Sequence, residues 1–312
     1  MRIRRVGPSL VVHTPAKLNL FLELLGKRED GYHELETLMV AVDVFDTLTF
    51  KEEDSNEIRL QCSGLGAARQ SAPDGADRAS TDAGREGIPL GSDNLVAKAA
   101  RLLREHAGVD RGIRIDLVKR IPSAAGLAGG SSDAAATLMA LNRFWKLGLG
   151  IPELRRLASQ LGSDVAFFVD GTSVAVCHGR GEIIEPLDVP LGLHFVIVRP
   201  RTGLSTAQVY KHAQVPAEKK SVHDLSAALR AGRKGLVGRL LHNRLQAPAE
   251  RLNPEVYRLQ TLFSRQPVLG HQMSGSGTAY FGLCDSARHA QSLAGRLRGA
   301  RVGRVWVAQC RP

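Results

Sequence analysis

The sequence predicts an α+β fold in two domains, residues 1–190 and 191–312. Three observations carry that expectation. Strand-like and helix-like patterns follow one another without the regular β–α–β repeat of a parallel sheet. A new apolar run, "LGLHFVIVRP" at 191–200, starts a second core after polar connections. Finally, 312 residues of which 43% are hydrophobic and 23% charged suffice for two modest cores.

The elements follow in chain order. "LNLFLEL" alternates strictly, so a strand sets Leu18, Leu20, Leu22 and Leu24 on one face and Lys17, Asn19, Phe21 and Glu23 on the other. "GKREDGYHE" reads as a polar turn through Gly26 and Gly31, and "LMVAVDVFDTLTF" (38–50) as the returning strand of a hairpin. Residues 63–92, rich in Ala, Gly, Ser, Asp and Arg, have few large apolar side chains and read as a flexible insertion. "NLVAKAARLLREHAG" spaces Leu95, Ala99, Leu102 and Leu103 as an amphipathic helix closed by Gly108. "GIRIDLVKR" is a strand with Ile113, Ile115 and Leu117 inward. Ala134, Leu138, Leu141 and Trp145 then recur at helical spacing. "IPELRRLASQLG" makes a short helix with Pro152 near its start, and "SDVAFFVDG" reads as a buried strand. Beyond residue 200 helices are expected near 221–231, 234–245 and 254–264. A glycine turn in "GHQMSGSGTAYFGL" leads into a strand, an arginine-rich helix follows, and "RVWVAQ" closes the chain.

Composition narrows the function. The 42 Lys and Arg against 31 Asp and Glu leave a net charge of +11, which raises the question of a nucleic-acid partner. The excess is mostly arginine spread along the chain, and aromatics at 5% offer little stacking surface for single strands. A solvated basic face that attracts small polyanions is the simpler reading, with no nucleic-acid partner. No apolar run nears the ~18 residues of a membrane span, and "MRIRRVGPSLVVHTP" lacks the pattern of a cleaved signal. A cytoplasmic protein without membrane contact is expected, monomeric or weakly homodimeric. Cys62, Cys177, Cys284 and Cys310 are scattered, none at metal-site spacing, and read as reduced thiols.

The stretch with most chemical content is "IPSAAGLAGGSSDAAATLMALNRFW" (121–145): a glycine loop between a strand and a long helix. A helix N-terminus presents unpaired N–H groups and the positive end of the dipole, an anion site before any side chain contributes. Gly126, Gly129 and Gly130 permit close backbone approach, and Ser131 and Ser132 offer caps or hydroxyls. Neither the Walker A pattern nor Gly-x-Gly-x-x-Gly fits, and the loop holds no lysine. Composition alone leaves a phosphate cradle and a flexible, well-capped linker equally open; the clean helix behind the loop favours the cradle.

"PSAAGLAGGSSDAAA" resembles the central motif of the GHMP kinase superfamily, and "MSGSGTAYFGL" is similar to its third motif. "PAKLNLFLELLGKREDGYHELETLM" and "LGSDVAFFVDG" are similar to the branch whose acceptor is a cytidine diphosphate-linked methylerythritol. The resemblance spans nearly the whole chain apart from 63–92. It implies the two-domain GHMP-kinase architecture, with a ribosomal-protein-like N-terminal domain and a ferredoxin-like C-terminal domain. It implies transfer of phosphate from ATP, with Mg²⁺, to the 2-hydroxyl of that small-molecule substrate. A GHMP kinase of homoserine or mevalonate type is the alternative, with less use for "DGYHELETL"; a basic RNA-binding module is the more distant one.

The residue roles come from the same resemblance. Lys17 and Asp164 are the family's catalytic pair, and Lys17 is the positive charge the loop lacks. Pro122, Ser123, Ala124, Ala125, Gly126, Leu127, Ala128, Gly129, Gly130, Ser131 and Ser132 form the ATP loop. Asn19, Tyr32 and His33 line the cytidine side, and Ser274, Gly275, Ser276 and Gly277 close on phosphate or acceptor groups. No carboxylate cluster marks the Mg²⁺ ligands. Ala124, Ala125 and Ala128 stand where some members have glycine, so those positions are expected to need a small residue without positive φ. Ala166 replaces a common proline, and "NRLQ" (243–246) replaces the frequent Asn-Asp-Leu-Glu.

Overall fold

The computed structural model describes residues 1–65, 93–190 and 192–311. The expected insertion at 63–92 therefore lies outside the described residues, apart from its first three. Ser63 and Gly64 complete a strand, paired with Val118 and Lys119.

The N-terminal half opens with β1 (Arg2–Val6), β2 (Ser9–Lys27), β3 (His33–Lys51) and β4 (Ile58–Gly64). Helix α1 (Leu95–Ala107) begins at Asn94, whose side chain accepts from the Val96 amide, and ends at Gly108 with φ 61°. β5 (Ile113–Lys119) runs through the glycine loop into α2 (Gly129–Phe144), followed by α3 (Ile151–Leu161) and α4 (Val165–Asp170). Thus "SDVAFFVDG" is a short helix, not the expected strand. All five of its apolar residues are buried, and an apolar run without alternation has no period to separate strand from helix. Gly171 closes it in the left-handed region. β6 (Val174–His178) and β7 (Ile183–Pro186) complete this half.

The second half contains β8 (Leu193–Arg199), α5 (Thr206–His212), α6 (His223–Arg230) and α7 (Lys234–Arg239). The helix expected over 234–245 stops there: His242 and Asn243 form β9 and pair in parallel with Phe21 and Leu22 of β2. Then come α8 (Gln246–Leu252), α9 (Pro254–Ser264), β10 (Gly270–Met273), β11 (Tyr280–Cys284), α10 (Ala287–Gly299) and β12 (Arg304–Cys310).

Among the described residues, eight strands make one sheet along β1-β2-β3-β5-β4, with β6 on β3, β7 on β6 and β9 on β2. The second sheet, β10-β11-β8-β12, has the order of a ferredoxin-like βαββαβ unit. Helices α1 to α4 cover one face of the first sheet around Phe50, Leu103, Ile115, Leu138 and Phe167. Its other face meets the second sheet. Along β8 the period of two divides the cores: Phe195 and Ile197 pack with Leu18 and Val40 of the first sheet, while Val196 and Val198 pack with Phe263 and Leu293.

Strand β2 departs from its expected alternation in one instructive place. Its register on β3 shifts between Asn19 and Phe21, leaving Leu20 as a bulge. One extra residue exchanges the faces downstream. Leu18 and Leu20 therefore share a core with Phe21, while Leu22 and Leu24 belong to another. The four leucines do not lie on one face, and Leu22 lines the same cavity as Lys17 and Asn19.

Candidate active site

A cavity of about 1150 Å³ opens where the glycine loop, the β2–β3 hairpin, the Ser163–Asp164 corner and α5 converge. Pro122, Ser123, Ala124, Ala125, Gly126, Ala128, Gly129, Gly130 and Ser131 line the cavity. The first-turn N–H groups of Gly129, Gly130 and Ser131 have no intrahelical acceptor, so the mouth of α2 faces the cavity as an anion cradle. Leu127 is buried beneath the loop, where its carbonyl accepts from the Lys17 amide at 3.1 Å. Ser132 is a correction: its fully buried hydroxyl donates to the Pro15 carbonyl at 2.6 Å and pairs with the Thr14 hydroxyl, so it ties α2 to β2 and does not face a ligand.

The loop alanines require a second correction. Ala124 (φ 49°) and Ala128 (φ 54°) do adopt positive φ, and Ala128 is the N-cap of α2 without a side-chain cap bond. The chain thus holds left-handed backbone with a Cβ present, at about 1–2 kcal/mol for each residue. A buried ion-pair cluster joins the elements on either side of the loop. Buried Lys119 on β5 donates to Asp133 of α2 at 2.7 Å and to Asp46 of β3, and Asp46 also accepts from the Ile121 amide at 2.9 Å. Burial raises the Asp133 carboxyl above the usual carboxylate range, against the pull of Lys119.

Lys17 and Asp164 come from distant parts of the chain and meet at 3.5 Å. Lys17 is buried, and its ammonium donates to Asn19 Oδ1 at 2.5 Å. Asn19 is itself fixed: its amide nitrogen donates to the Thr37 hydroxyl at 2.8 Å, which donates to the Phe21 carbonyl at 2.6 Å. Asp164 holds the N-cap position of α4 but makes no side-chain cap bond, and its carboxylate is one-third exposed to the cavity.

The Ser274–Gly277 turn packs onto this pair. Gly275 and Ser276 line the cavity. The Ser274 hydroxyl accepts from the Asn19 amide at 3.2 Å and donates to the Gly126 carbonyl at 3.0 Å, beneath the lining. Gly277 stands behind the turn, outside the lining. The approach is close: a Cβ on Gly126 (φ 73°) would lie 1.9 Å from the Ser274 carbonyl oxygen. The "NRLQ" segment retains a role here, because Asn243 Nδ2 donates to the Met273 and Gly275 carbonyls at 2.8 Å each.

At the opposite end Tyr32 is 54% exposed, with the Arg180 guanidinium 4.9 Å from its ring centre. The His33 ring lies 5.5 Å from that of Tyr210. Burial, and then the charge of Lys27, holds His33 below the usual imidazole range. Arg180, Thr206, Tyr210 and Lys211 line the cavity without having been expected from sequence. The glycine-flanked "GRG" is a weak signal for Arg180, and the seven-residue α5 is too short for its period to stand out. Among the described residues no cluster of three or more His, Cys, Asp or Glu could hold a metal alone, and no helix is long and apolar enough to cross a membrane.

Comparison with known proteins adds the following. Residues 94–172 match the GHMP kinases N terminal domain and 225–301 the GHMP kinases C terminal domain. A 4-diphosphocytidyl-2-C-methyl-D-erythritol kinase of Shouchella clausii is 38% identical over 289 residues, covering 92% of this chain and 90% of that protein. One from Pelotomaculum thermopropionicum is 41% identical over 288 residues, covering 91% and 92%. A crystal structure of 4-(cytidine 5'-diphospho)-2C-methyl-D-erythritol kinase superposes with a TM-score of 0.75 at 34% identity, covering 96% of this chain and 98% of that one. Homoserine kinase from Cytophaga hutchinsonii shares the fold, with a TM-score of 0.69 at 20% identity over 99% of this chain and 96% of the other.

Proposed function

The chain belongs to the GHMP kinases, on the branch of the 4-diphosphocytidyl-2-C-methyl-D-erythritol kinases, and from that premise we propose that it transfers the γ-phosphoryl group of ATP to the 2-hydroxyl of 4-diphosphocytidyl-2-C-methyl-D-erythritol, a step of non-mevalonate isoprenoid precursor synthesis. One observation carries the mechanism: the Lys17–Asp164 pair, 3.5 Å apart, shares a cavity with the mouth of α2 on one side and an aromatic group on the other.

Phosphoryl transfer asks chiefly for alignment and charge stabilisation. In this reading the amides of Gly129, Gly130 and Ser131 hold phosphate oxygens of the donor. Asp164 accepts the proton of the acceptor hydroxyl as the hydroxyl oxygen attacks the γ-phosphorus and the bond to the β-phosphate bridging oxygen breaks, releasing ADP. Lys17, aimed by Asn19, stabilises negative charge on the transferring group. Tyr32 and Tyr210 offer ring faces to the cytosine, and His33 supplies an edge contact.

Ser131 brings a hydroxyl oxygen to the cavity, the ligand type Mg²⁺ takes, and one protein oxygen suits an ion completed by phosphate and water. When bound, that ion supplies charge neutralisation across the donor phosphates. The partition at 190/191, cytoplasmic location and a monomeric or weakly dimeric state belong to the same proposal.

The test is ADP release with the cytidylyl acceptor, homoserine and mevalonate offered separately. Turnover with the first alone is expected. Turnover with either of the others, and none with the first, overturns the reading. Asp164→Asn should lower kcat roughly 10²–10⁴-fold with ATP affinity by calorimetry little changed.

A further inference from the structure

Glu23 has no part in the chemistry above, yet it is among the most heavily bonded side chains in the protein. It lies on β2 immediately after Leu22, which lines the cavity, and it is fully buried. Oε1 accepts from Arg244 Nε at 2.6 Å and the Leu24 amide at 3.0 Å. Oε2 accepts from Arg244 Nη2 at 2.7 Å, the Lys220 amide at 3.1 Å and His242 Nε2 at 3.2 Å. A two-pronged guanidinium pair of this kind fixes direction as well as charge.

Its register partner on β3 is Glu36, which accepts from the Val222 amide at 2.8 Å. Two paired glutamates thus grip alternate backbone amides of one segment, residues 220 and 222. What that segment carries matters. Upstream of it, Thr206, Ala207, Tyr210, Lys211, Ala213 and Val215 line the cavity beside His33. This wall is fixed at its start by the Thr206–Ser276 hydroxyl pair at 2.8 Å. At its far end the fixed points are the bonds to Glu23 and Glu36.

We propose that Glu23 is a positioning residue for the acceptor end of the cavity: through Arg244, His242 and the Lys220 amide it holds the Thr206–Val215 wall against the β2–β3 hairpin, and so sets acceptor affinity without touching substrate. The identity of the acceptor rests on the function proposed above; the mechanical claim does not. The donor end makes no direct bond to Glu23: the glycine loop is tied to Thr14, Pro15, Asp46 and Ser274.

Two measurements on Glu23→Gln test it. Hydrogen exchange followed by mass spectrometry needs no substrate: faster exchange is expected in peptides covering 206–222, with those covering α2 unchanged. Steady-state kinetics should show the acceptor KM raised about tenfold or more, with kcat and the KM for ATP within about threefold of wild type. Unchanged exchange at 206–222 overturns the proposal. So does exchange rising throughout the chain while kcat and both KM values worsen together, the signature of general destabilisation. Should Glu23→Gln fail to fold, Arg244→Met leaves Glu23 its backbone donors and removes its cation; it should give the same pattern, and a flat response overturns the proposal. A wild-type enzyme inactive on the cytidylyl acceptor defeats the functional reading alone, and the exchange result still decides this one.

Discussion

The two ends of the cavity are built by different means. At the glycine loop, position is set by main chain: Gly126 against the Ser274 carbonyl, left-handed Ala124 and Ala128, and the opening turn of α2. At the acceptor end it is set by side chains from three separate segments, with Tyr32 under Arg180, His33 beside Tyr210, and Glu23 behind. Main-chain geometry suits a ligand part common to many reactions, a polyphosphate. Side-chain geometry can change with a few substitutions and suits the part that distinguishes one acceptor from another.

The division can be attacked where the ends meet. Lys17→Met should lower kcat about 10²–10³-fold, measured by ADP release, because it removes charge stabilisation from the transfer itself. It also leaves the buried Asn19 oxygen without its donor. Next in size is Gly126→Ala. A side chain there meets backbone that cannot give way, at a φ of 73°. A loss of more than about 2 kcal/mol in denaturant unfolding is expected, together with weaker ATP binding. If ATP affinity survives that change, the donor end is not governed by main chain.

Tyr210→Ala sharpens the contrast from the other side. Removing one aromatic wall should raise the acceptor KM about tenfold, a loss near 1.4 kcal/mol, and leave the KM for ATP alone. Equal changes in both would erase the distinction between the ends. The smallest effect belongs to Ala128→Gly. Glycine relieves about 1–2 kcal/mol of left-handed strain and adds about 0.5–1 kcal/mol of chain entropy cost. A net gain of about 0.5 kcal/mol follows, read as a rise in Tm of about 1 °C.

Much of the donor end was legible in sequence because glycine, helix and strand signals are local. The order strand, glycine loop, helix appears as expected over 113–144, and the C-terminal strands fall at the anticipated apolar runs. What was not legible depends on longer range. Nothing in "VAFFVD" distinguishes a buried helix from a buried strand, because burial on all sides removes the period. Nothing in the local residue pattern marks the left-handed backbone at Ala124 and Ala128, since alanine rarely adopts it. Ser132 looks like a ligand-facing hydroxyl until the approach of Thr14 and Pro15 is known. Tyr210 and Arg180 reach the cavity only through the packing of the two sheets' connections, for which neighbouring residues give no cue.

The unpaired residue at position 20 has a consequence for how this strand can vary in length. Because it exchanges inside and outside there, the 17–24 stretch of β2 carries two opposite binary patterns joined at one point. Removing Leu20 would make the ladder more regular and yet force a choice: keep the ammonium at 17 aimed at the aspartate, or keep Leu22 and Leu24 in their core. Single-residue insertions and deletions between 17 and 24 should therefore inactivate or unfold the enzyme, whereas changes of two residues preserve the parity on which both depend.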